Sequence, residues 1–148
     1  MPMKYVFILI FFCNFIHVSF SQNYKTINTI SEKILKIYKK GDQAYKENQL
    51  KLAEEYFKKT IEKENQFIDS YIKLASINYE LEKHEEAIRY FQSALQLDSF
   101  YNNKIYYTLA LSYYKIKKYD RAKMSMEFYL LNEKENSDLI IKAKRFLP

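Results

Sequence analysis

The sequence predicts an all-α fold of stacked, antiparallel helix pairs. Three alanines, Ala53, Ala87 and Ala122, sit in similar local patterns that are 34 and then 35 residues apart. A period of that length is typical of a helical repeat array. The chain has one Gly and two Pro among its 148 residues, so the residues that punctuate a turn-rich sheet protein are nearly absent. These observations together predict one domain of helices joined by short connections.

The beginning of the chain differs from the rest. Lys4 precedes an apolar run over residues 5–20. Ser19 and Ser21 place small residues at positions −3 and −1 of a cut before Gln22. A short charged start, an apolar stretch and a small-residue exit are the pattern of a secretory signal peptide. Residues 1–21 are therefore predicted to be a signal peptide cleaved between Ser21 and Gln22, which indicates a periplasmic or secreted protein.

A retained membrane anchor is the alternative interpretation of the same run. Asn14 and His17 interrupt it, and its 16 residues fall short of the roughly 20 that a spanning helix needs. Cleavage would remove Cys13, the only cysteine, so the exported protein would depend on packing and not on disulfides. Residues 22–30 are expected to form a loose leader before a repeat domain at residues 31–148.

Alignment on the three alanines divides that domain into units at residues 34–67, 68–101 and 103–136, with Asn102 as one extra residue. Small residues recur at the eighth and twentieth positions of a unit, and large ones at the fourth and twenty-fourth. The eighth position holds Gly41, Ala75 and Ala110, the fourth holds Ile37, Tyr71 and Tyr106, and the twenty-fourth holds Phe57, Phe91 and Met126. Small residues let two helices approach closely, and large residues fill the space around the contact.

This spacing resembles the tetratricopeptide repeat (TPR), a helix–turn–helix unit of about 34 residues. The resemblance covers all three units and is strongest in the middle one. The third unit departs from it at position 27, where Tyr129 replaces a small residue. The resemblance implies a TPR-type α-solenoid of antiparallel helix pairs, about seven helices in all, in a right-handed superhelix.

Both ends of the predicted array carry helix-terminus signals. Thr29 and Glu32 have the spacing of a capping box at the start of the first helix. After the third unit, residues 137–147 carry one more apolar stripe, formed by Leu139, Ile140, Ala143, Phe146 and Leu147. Because repeat arrays need a terminal cap, this segment is predicted to be a capping helix on the third pair.

Residues that could carry catalysis are sparse after residue 21. His84 is the only histidine there, and the register places it in the turn between the two helices of the middle unit. A metal site needs three or four grouped ligands, and the single Gly41 forms no phosphate-binding loop. The acidic pairs Glu54–Glu55 and Glu85–Glu86 fall at starts of second helices, where they are expected to face water near the positive end of the helix dipole. The sequence predicts no enzyme, no metal and no cofactor.

The charge pattern indicates solvated helix surfaces. The net charge is +6, but basic residues alternate with Glu along most of the chain. This favours a soluble helix surface over a nucleic-acid patch. Nucleic acid is therefore not a predicted partner, and a membrane is one only if the N-terminal run is retained.

The TPR resemblance also implies a binding surface. In TPR proteins the first helix of each pair lines the concave side, with exposed residues at its second, fifth, ninth, twelfth and thirteenth positions. We call the residues selected at the fifth, ninth and twelfth of these the predicted groove: Tyr38, Tyr45, Ile72, Tyr79, Tyr107, Leu111 and Tyr114. Tyrosine offers a large flat area and a hydroxyl, so an extended peptide or a partner helix is expected to dock there. An aromatic residue at position twelve also packs against the neighbouring pair in many TPRs, and this structural interpretation stays open.

One TPR class grips the carboxylate tail of chaperones with a clamp of polar residues. That class has Lys and Asn at positions five and nine of its first helix, where this chain has Tyr38 and Asp42. Of the two basic residues that the clamp uses in its third unit, Lys104 is present and Thr108 replaces the other. The sequence therefore favours a different partner.

The sequence thus predicts an exported, non-catalytic adaptor that binds a protein or peptide through the concave face of a three-repeat array. The alternative function is a membrane-tethered or self-associating structural component of an envelope assembly. That alternative needs a retained apolar N-terminus or a second exposed apolar face. The identity of the partner and the oligomeric state are left open by the sequence.

Overall fold

The computed structural model describes residues 24–133 and residue 141. The helices in this part of the chain are α1 (Glu32–Lys46), α2 (Leu50–Lys63), α3 (Ile68–Glu80), α4 (His84–Leu97), α5 (Lys104–Lys115) and α6 (Tyr119–Asn132). The main contacts join α1 to α2, α3 to α4 and α5 to α6, and further contacts join each pair to the next. The described chain is therefore a stack of three helix pairs.

The two helices of a pair meet at small residues. Ala53, Ala87 and Ala122 are all buried. In the first pair, a Cβ added to Gly41 would lie only 3.0 Å from Cε1 of Phe57, which is itself fully buried. Because the aromatic ring already fills the space between the helices, no side chain fits at Gly41 without moving the core.

The residue at the twenty-seventh position of the unit makes different contacts in the first and third pairs. In the first pair the Thr60 hydroxyl donates to the carbonyl of Phe57 at 2.6 Å and is hydrogen-bonded to Ser70 of α3. In the third pair the equivalent residue is Tyr129, which is fully buried with its ring 5.4 Å from that of Tyr107. Tyr129 thus fills the last pair with an aromatic side chain where the repeat pattern has a small residue.

Residues 24–30, which we call the strap, are bonded to the segment that joins the first repeat to the second. The backbone N–H of Lys25 donates to the carbonyl of Gln66 at 2.7 Å, and the N–H of Ile68 donates to the carbonyl of Lys25 at 3.1 Å. The side chain of Lys25 also pairs with Glu64. The expectation of a loose leader is therefore wrong for the described residues 24–30.

Asp69, in the first turn of α3, holds the strap to the boundary of the third repeat. Its Oδ2 accepts a hydrogen bond from the N–H of Ile27, and its Oδ1 accepts one from the hydroxyl of Tyr101, both at 2.9 Å. Tyr24 packs edge-on against Tyr101 with ring centres 5.6 Å apart. One carboxylate therefore bonds both the N-terminal segment and the segment that enters α5.

The start of α1 differs from the predicted capping box. The helix begins at Glu32, with Ser31 as the N-cap residue and no side-chain cap hydrogen bond. The Thr29 hydroxyl is bonded to the backbone N–H and carbonyl of Thr26 instead, at 2.8 and 3.3 Å. The prediction of a Thr29–Glu32 capping box is wrong because Thr29 belongs to the turn inside the strap.

Two of the predicted segments lie outside the described residues. These are the signal peptide at residues 1–21 and the capping helix at residues 137–147, of which only Ile141 is described, in helical conformation and half exposed. Among the residues that are described, no helix is both long enough and apolar enough to cross a membrane.

The turn inside each pair has the same backbone conformation. Its residues with positive φ are Asn48 at 58°, Glu82 at 58° and Lys117 at 60°. The next residue donates its N–H back to a carbonyl near the end of the first helix, at 2.8–2.9 Å in all three pairs. This is the helix-ending arrangement in which glycine is normally preferred, because a Cβ disfavours positive φ.

Replacing Lys117 by Gly should therefore stabilise the protein. Relief of the left-handed conformation outweighs the added flexibility of the unfolded chain, and we expect the free energy of unfolding to rise by about 0.5–1 kcal/mol. Urea unfolding followed by circular dichroism measures it. Asn48→Gly is the control and should change stability less, because asparagine tolerates positive φ. An unchanged or lower stability for Lys117→Gly contradicts this account.

Candidate functional site

The predicted groove residues all lie on the first helices of the pairs, α1, α3 and α5. One of them is not available for binding. Tyr38 is only 6% exposed, and its ring packs against those of Phe57 and Phe67 at centre distances of 5.2 and 5.1 Å. Burial, together with the negative charge of nearby Asp69, raises the pKa of Tyr38 far above its usual value. The prediction of Tyr38 as an exposed groove residue is wrong, because Tyr38 belongs to the core.

The part of the predicted groove formed by α1 and α3 is a bonded polar network. Asp42 accepts hydrogen bonds from Lys73 of α3 and Lys46 of α1, each at 2.8 Å. The Tyr45 hydroxyl donates to Oε1 of Glu80, and the Lys73 ammonium lies 5.2 Å from the centre of the Tyr45 ring. We call Asp42, Tyr45, Lys73 and Glu80 the charged half of the groove.

The pKa values of this half follow from those contacts. Burial and then the hydrogen bond to Glu80 raise the pKa of Tyr45 to about 12. The hydrogen bonds from Lys46 and Lys73 lower the pKa of Asp42 below its usual 3.8. The network therefore holds Asp42 ionised at neutral pH between two lysines, while the neutral Tyr45 hydroxyl donates to Glu80.

The side of the groove formed by α3 and α5 is aromatic and apolar. We call the remaining predicted residues the aromatic half: Ile72, Tyr79, Tyr107, Leu111 and Tyr114. All of them are partly exposed, and Tyr114 is 50% exposed. Its ring lies 5.4 Å from that of Tyr119, which is exposed at the start of α6. Burial, and next the neighbouring Tyr107, raise the pKa of Tyr79, so its hydroxyl stays protonated at neutral pH.

The acidic pairs that the sequence singled out have structural positions. Glu85 and Glu86 lie in the first turn of α4, as predicted. Glu54 is instead in the second turn of α2 and buried, with Lys58 at 2.7 Å and Lys83 of the second repeat at 3.4 Å. Burial is the largest single effect and opposes its charge, but the hydrogen bonds and positive charges of Lys58 and Lys83 together outweigh burial and lower the pKa of Glu54. The expectation that Glu54 faces water is therefore wrong.

His84 is the histidine that the sequence offered after residue 21 for catalysis or metal binding. His84 is the first residue of α4, with its ring 5.5 Å from that of Tyr79. Across residues 24–133 and 141, no three His, Cys, Asp or Glu side chains are placed to hold a metal ion. The described surface thus offers chemistry for recognition, in the form of tyrosine rings beside a network of charged, hydrogen-bonded side chains.

Of the four residues in the charged half, only Tyr45 was predicted from the sequence to belong to the site. Asp42, Lys73 and Glu80 were not. Asp42 and Lys73 are oppositely charged residues at the ninth and sixth positions of successive first helices, and Tyr45 and Glu80 stand at the twelfth and thirteenth. Comparing such positions between neighbouring units, rather than within one unit, could have identified the pairs.

Residues 68–101 and 104–127 match the tetratricopeptide repeat family. The first TPR domain of Spaghetti (RPAP3), bound to an HSP90 peptide, is similar in structure, with a TM-score of 0.72 and 21% identity over 79% of this chain and 92% of that one. For the N-terminal domain of stress-induced protein-1 from C. elegans, the TM-score is 0.67 and the identity 19%, over 79% and 96% of the two chains. For MamA the TM-score is 0.66 and the sequence identity 20%, over 81% of this chain and 77% of that one. No curated protein matches the sequence significantly. The predicted TPR-type solenoid fold is confirmed.

The pairs of Asp42 predict a pH-dependent contribution to stability. Because its folded pKa lies below 3.8, this contribution is complete above about pH 4 and is lost as the pH falls through the folded pKa. Asp42→Asn should therefore lower the free energy of unfolding by about 1 kcal/mol at pH 7, and the difference from wild type should shrink towards about pH 2.

Urea unfolding at a series of pH values measures this difference. Glu62→Gln, on the exposed side of α2, is the matched control, since Glu62 has no ion pair within the described part of the chain. A stability difference for Asp42→Asn that stays constant with pH would show that the carboxylate charge does not matter.

Proposed function

We propose that this protein is an exported, non-catalytic adaptor that binds a protein or peptide through its predicted groove. The observation that carries the proposal is the aromatic half, in which Tyr79, Tyr107 and Tyr114 lie partly exposed on adjacent first helices. Rigid aromatic rings on a helical scaffold lose little conformational freedom when a partner covers them. They are also the side chains that most often dominate binding energy at interfaces.

The two halves of the groove suggest different contributions to binding. In the aromatic half, Tyr114 and Tyr119 present two exposed rings, which a partner can bury. In the charged half, Lys73 and Glu80 already have partners within the protein. A ligand charge placed there must compete with an existing hydrogen bond, so this half selects against poorly matched partners more than it adds affinity.

Structural relatives support peptide or protein binding as the class of activity. TPR domains of similar fold occur in complex with an HSP90 peptide and, in human RPAP3, with an HSP70 peptide. The two positions that carry Lys and Asn in the chaperone-tail clamp are unsuited to that role in this chain. Tyr38 is buried, and Asp42 is an anion held by Lys46 and Lys73. The proposed partner is therefore recognised mainly through apolar and aromatic contacts rather than through a terminal carboxylate.

A non-catalytic role fits the arrangement of the titratable groups. Asp42 and Glu54, the carboxylates whose pKa values are lowered, are each held by two lysines. General acid–base catalysis near neutral pH needs a group whose pKa lies close to the working pH. The pKa values of Asp42 and Glu54 lie further below neutral pH than those of ordinary carboxyl groups. These two carboxylates stabilise the stack instead.

Export is the second part of the proposal and rests on residues 1–21. Their charged start, apolar run and small residues before Gln22 predict cleavage and a periplasmic or secreted protein. N-terminal sequencing of the protein purified from its source cells tests this. We expect the chain to start at Gln22. A chain that starts at Met1 and stays in the membrane fraction supports the tethered alternative instead.

The groove is tested with a partner captured on residues 22–148 from the exported fraction of the source cells. Tyr79→Ala combined with Tyr114→Ala should weaken binding of that purified partner at least tenfold, since it removes two partly exposed ring anchors. Isothermal titration calorimetry gives the affinity, and circular dichroism verifies folding. Phe100→Ala removes an exposed aromatic residue outside the groove and should leave the affinity unchanged. A folded double variant that binds like wild type contradicts the assignment of the groove.

A further inference from the structure

The last described helix, α6, is apolar on two faces. One face packs against α5 and is buried, formed by Ala122, Met126 and Tyr129. The other carries Met124, Phe128 and Leu131, again at the i, i+4, i+7 spacing that puts residues on one side of a helix. Met124 is 69% exposed and Leu131 is 81% exposed. An amphipathic surface helix would carry polar residues on this second face.

The equivalent residues of the other two repeats are polar. The exposed face of α6 uses the twenty-second, twenty-sixth and twenty-ninth positions of its unit. Those positions hold Glu55, Lys59 and Glu62 in the first repeat, and Arg89, Ser93 and Gln96 in the second. Because the register is the same in all three repeats, packing within a pair does not require apolar residues at these positions. Their apolar character in the third repeat needs a separate cause.

Phe100 extends this face beyond the helix. It lies between α4 and α5, is 73% exposed, and its ring centre is 6.0 Å from that of Phe128. Phe128 in turn stacks on Tyr106 at 4.1 Å, which holds it in place. We call Phe100, Met124, Phe128 and Leu131 the outer patch. It lies on α6 and the segment before α5, apart from the groove residues.

A helix stacked on the end of the array would not cover the outer patch. Where one repeat follows another, the next pair packs against positions twenty-seven and twenty-eight, as Thr60 and Ile61 show in the first repeat and Leu95 in the second. The positions equivalent to Met124 and Leu131 stay exposed in those repeats although a further pair follows. The outer patch therefore has a different occupant from the end of the stack.

We propose that the outer patch is the interface of a weak homodimer in which the α6 helices of two copies pack antiparallel about a two-fold axis. A two-fold interface requires a surface that is complementary to itself. The stripe is nearly symmetric about Phe128, with Met124 four residues before it and Leu131 three after it. The axis then places Phe128 of one chain against Phe128 of the other, and Met124 of each chain against Leu131 of the other.

The size of the patch sets the strength of this dimer. Three large side chains that are mostly exposed, together with the partly exposed Phe128, provide on the order of 400 Å² per copy, or about 800 Å² in the pair. Stable complexes bury about 1,200–2,000 Å², so the dimer is weak and forms at high protein concentration. A second copy is favoured as the occupant because it brings an equal apolar stripe without any other component.

The charge of the chain gives this association a diagnostic salt dependence. Two copies of residues 22–148, each with 23 basic and 18 acidic residues and hence a net charge of +5, repel one another, and salt screens that repulsion while leaving the apolar contact intact. Added salt should therefore strengthen the dimer. An interface made of ion pairs would be weakened by the same treatment.

The test is sedimentation velocity on residues 22–148, which include every residue that the structure describes, over a hundredfold range of concentration. We expect the weight-average mass to rise with concentration towards that of a dimer, and to rise further in high salt. The combination Met124→Arg, Phe128→Ser and Leu131→Gln transplants the second repeat's own residues. It should raise the dissociation constant at least tenfold.

A second variant guards against loss of folding, because Phe128 contacts Tyr106. Met124→Arg with Leu131→Gln changes only the two most exposed members of the stripe and should also weaken the dimer. The Tyr79→Ala, Tyr114→Ala groove variant should dimerise like wild type, so the two proposals fail separately. A wild-type protein that stays monomeric at every concentration overturns the proposal. The same result is expected if residues 134–148 or another protein occupy the outer patch. Undiminished self-association of both folded patch variants also overturns the proposal.

Discussion

The close approach of two helices at a pair of small residues is the constraint on which the other packing depends. In the first pair a Cβ at Gly41 would lie only 3.0 Å from Cε1 of Phe57, so even one methyl group would push that ring aside. Ala75 and Ala110 occupy the matching places in the later pairs and are buried. Once this separation is fixed, the rotation of each helix is fixed too. The register therefore decides which residues enter the core and which remain available for binding.

Because the core pattern repeats, differences between repeats concentrate at positions outside it. The first helices change from the charge network around Asp42 to the tyrosine surface around Tyr114. The second helices change from polar exposed residues such as Glu62 to apolar ones such as Leu131. These two gradients lie on different helices and are separable by mutation. A repeat scaffold can therefore carry two independent contact surfaces without altering how its helices pair.

Sequence reasoning was reliable where packing depends on one repeated spacing. The alanine period located the helix pairs and placed residues such as Tyr79 and Tyr107 on first helices. It failed at Tyr38, which the register placed on the exposed side of the first helix. The rings of Phe57 and Phe67 enclose Tyr38 in the core of the first pair. Helical spacing predicts which side of a helix a residue occupies, but not how far a large side chain at the edge of that side turns into the core.

The strap also changes how the stack can open. In a simple array each repeat contacts only its neighbours, so either end can fray at the cost of a single interface. Here the first repeat cannot detach together with the strap unless the bond from the N–H of Ile68 to the carbonyl of Lys25 and the bond from the N–H of Ile27 to Asp69 break as well. Opening from the amino end therefore costs these strap bonds in addition to the interface between the first and second repeats, which makes the first two repeats more cooperative than neighbours in a simple array.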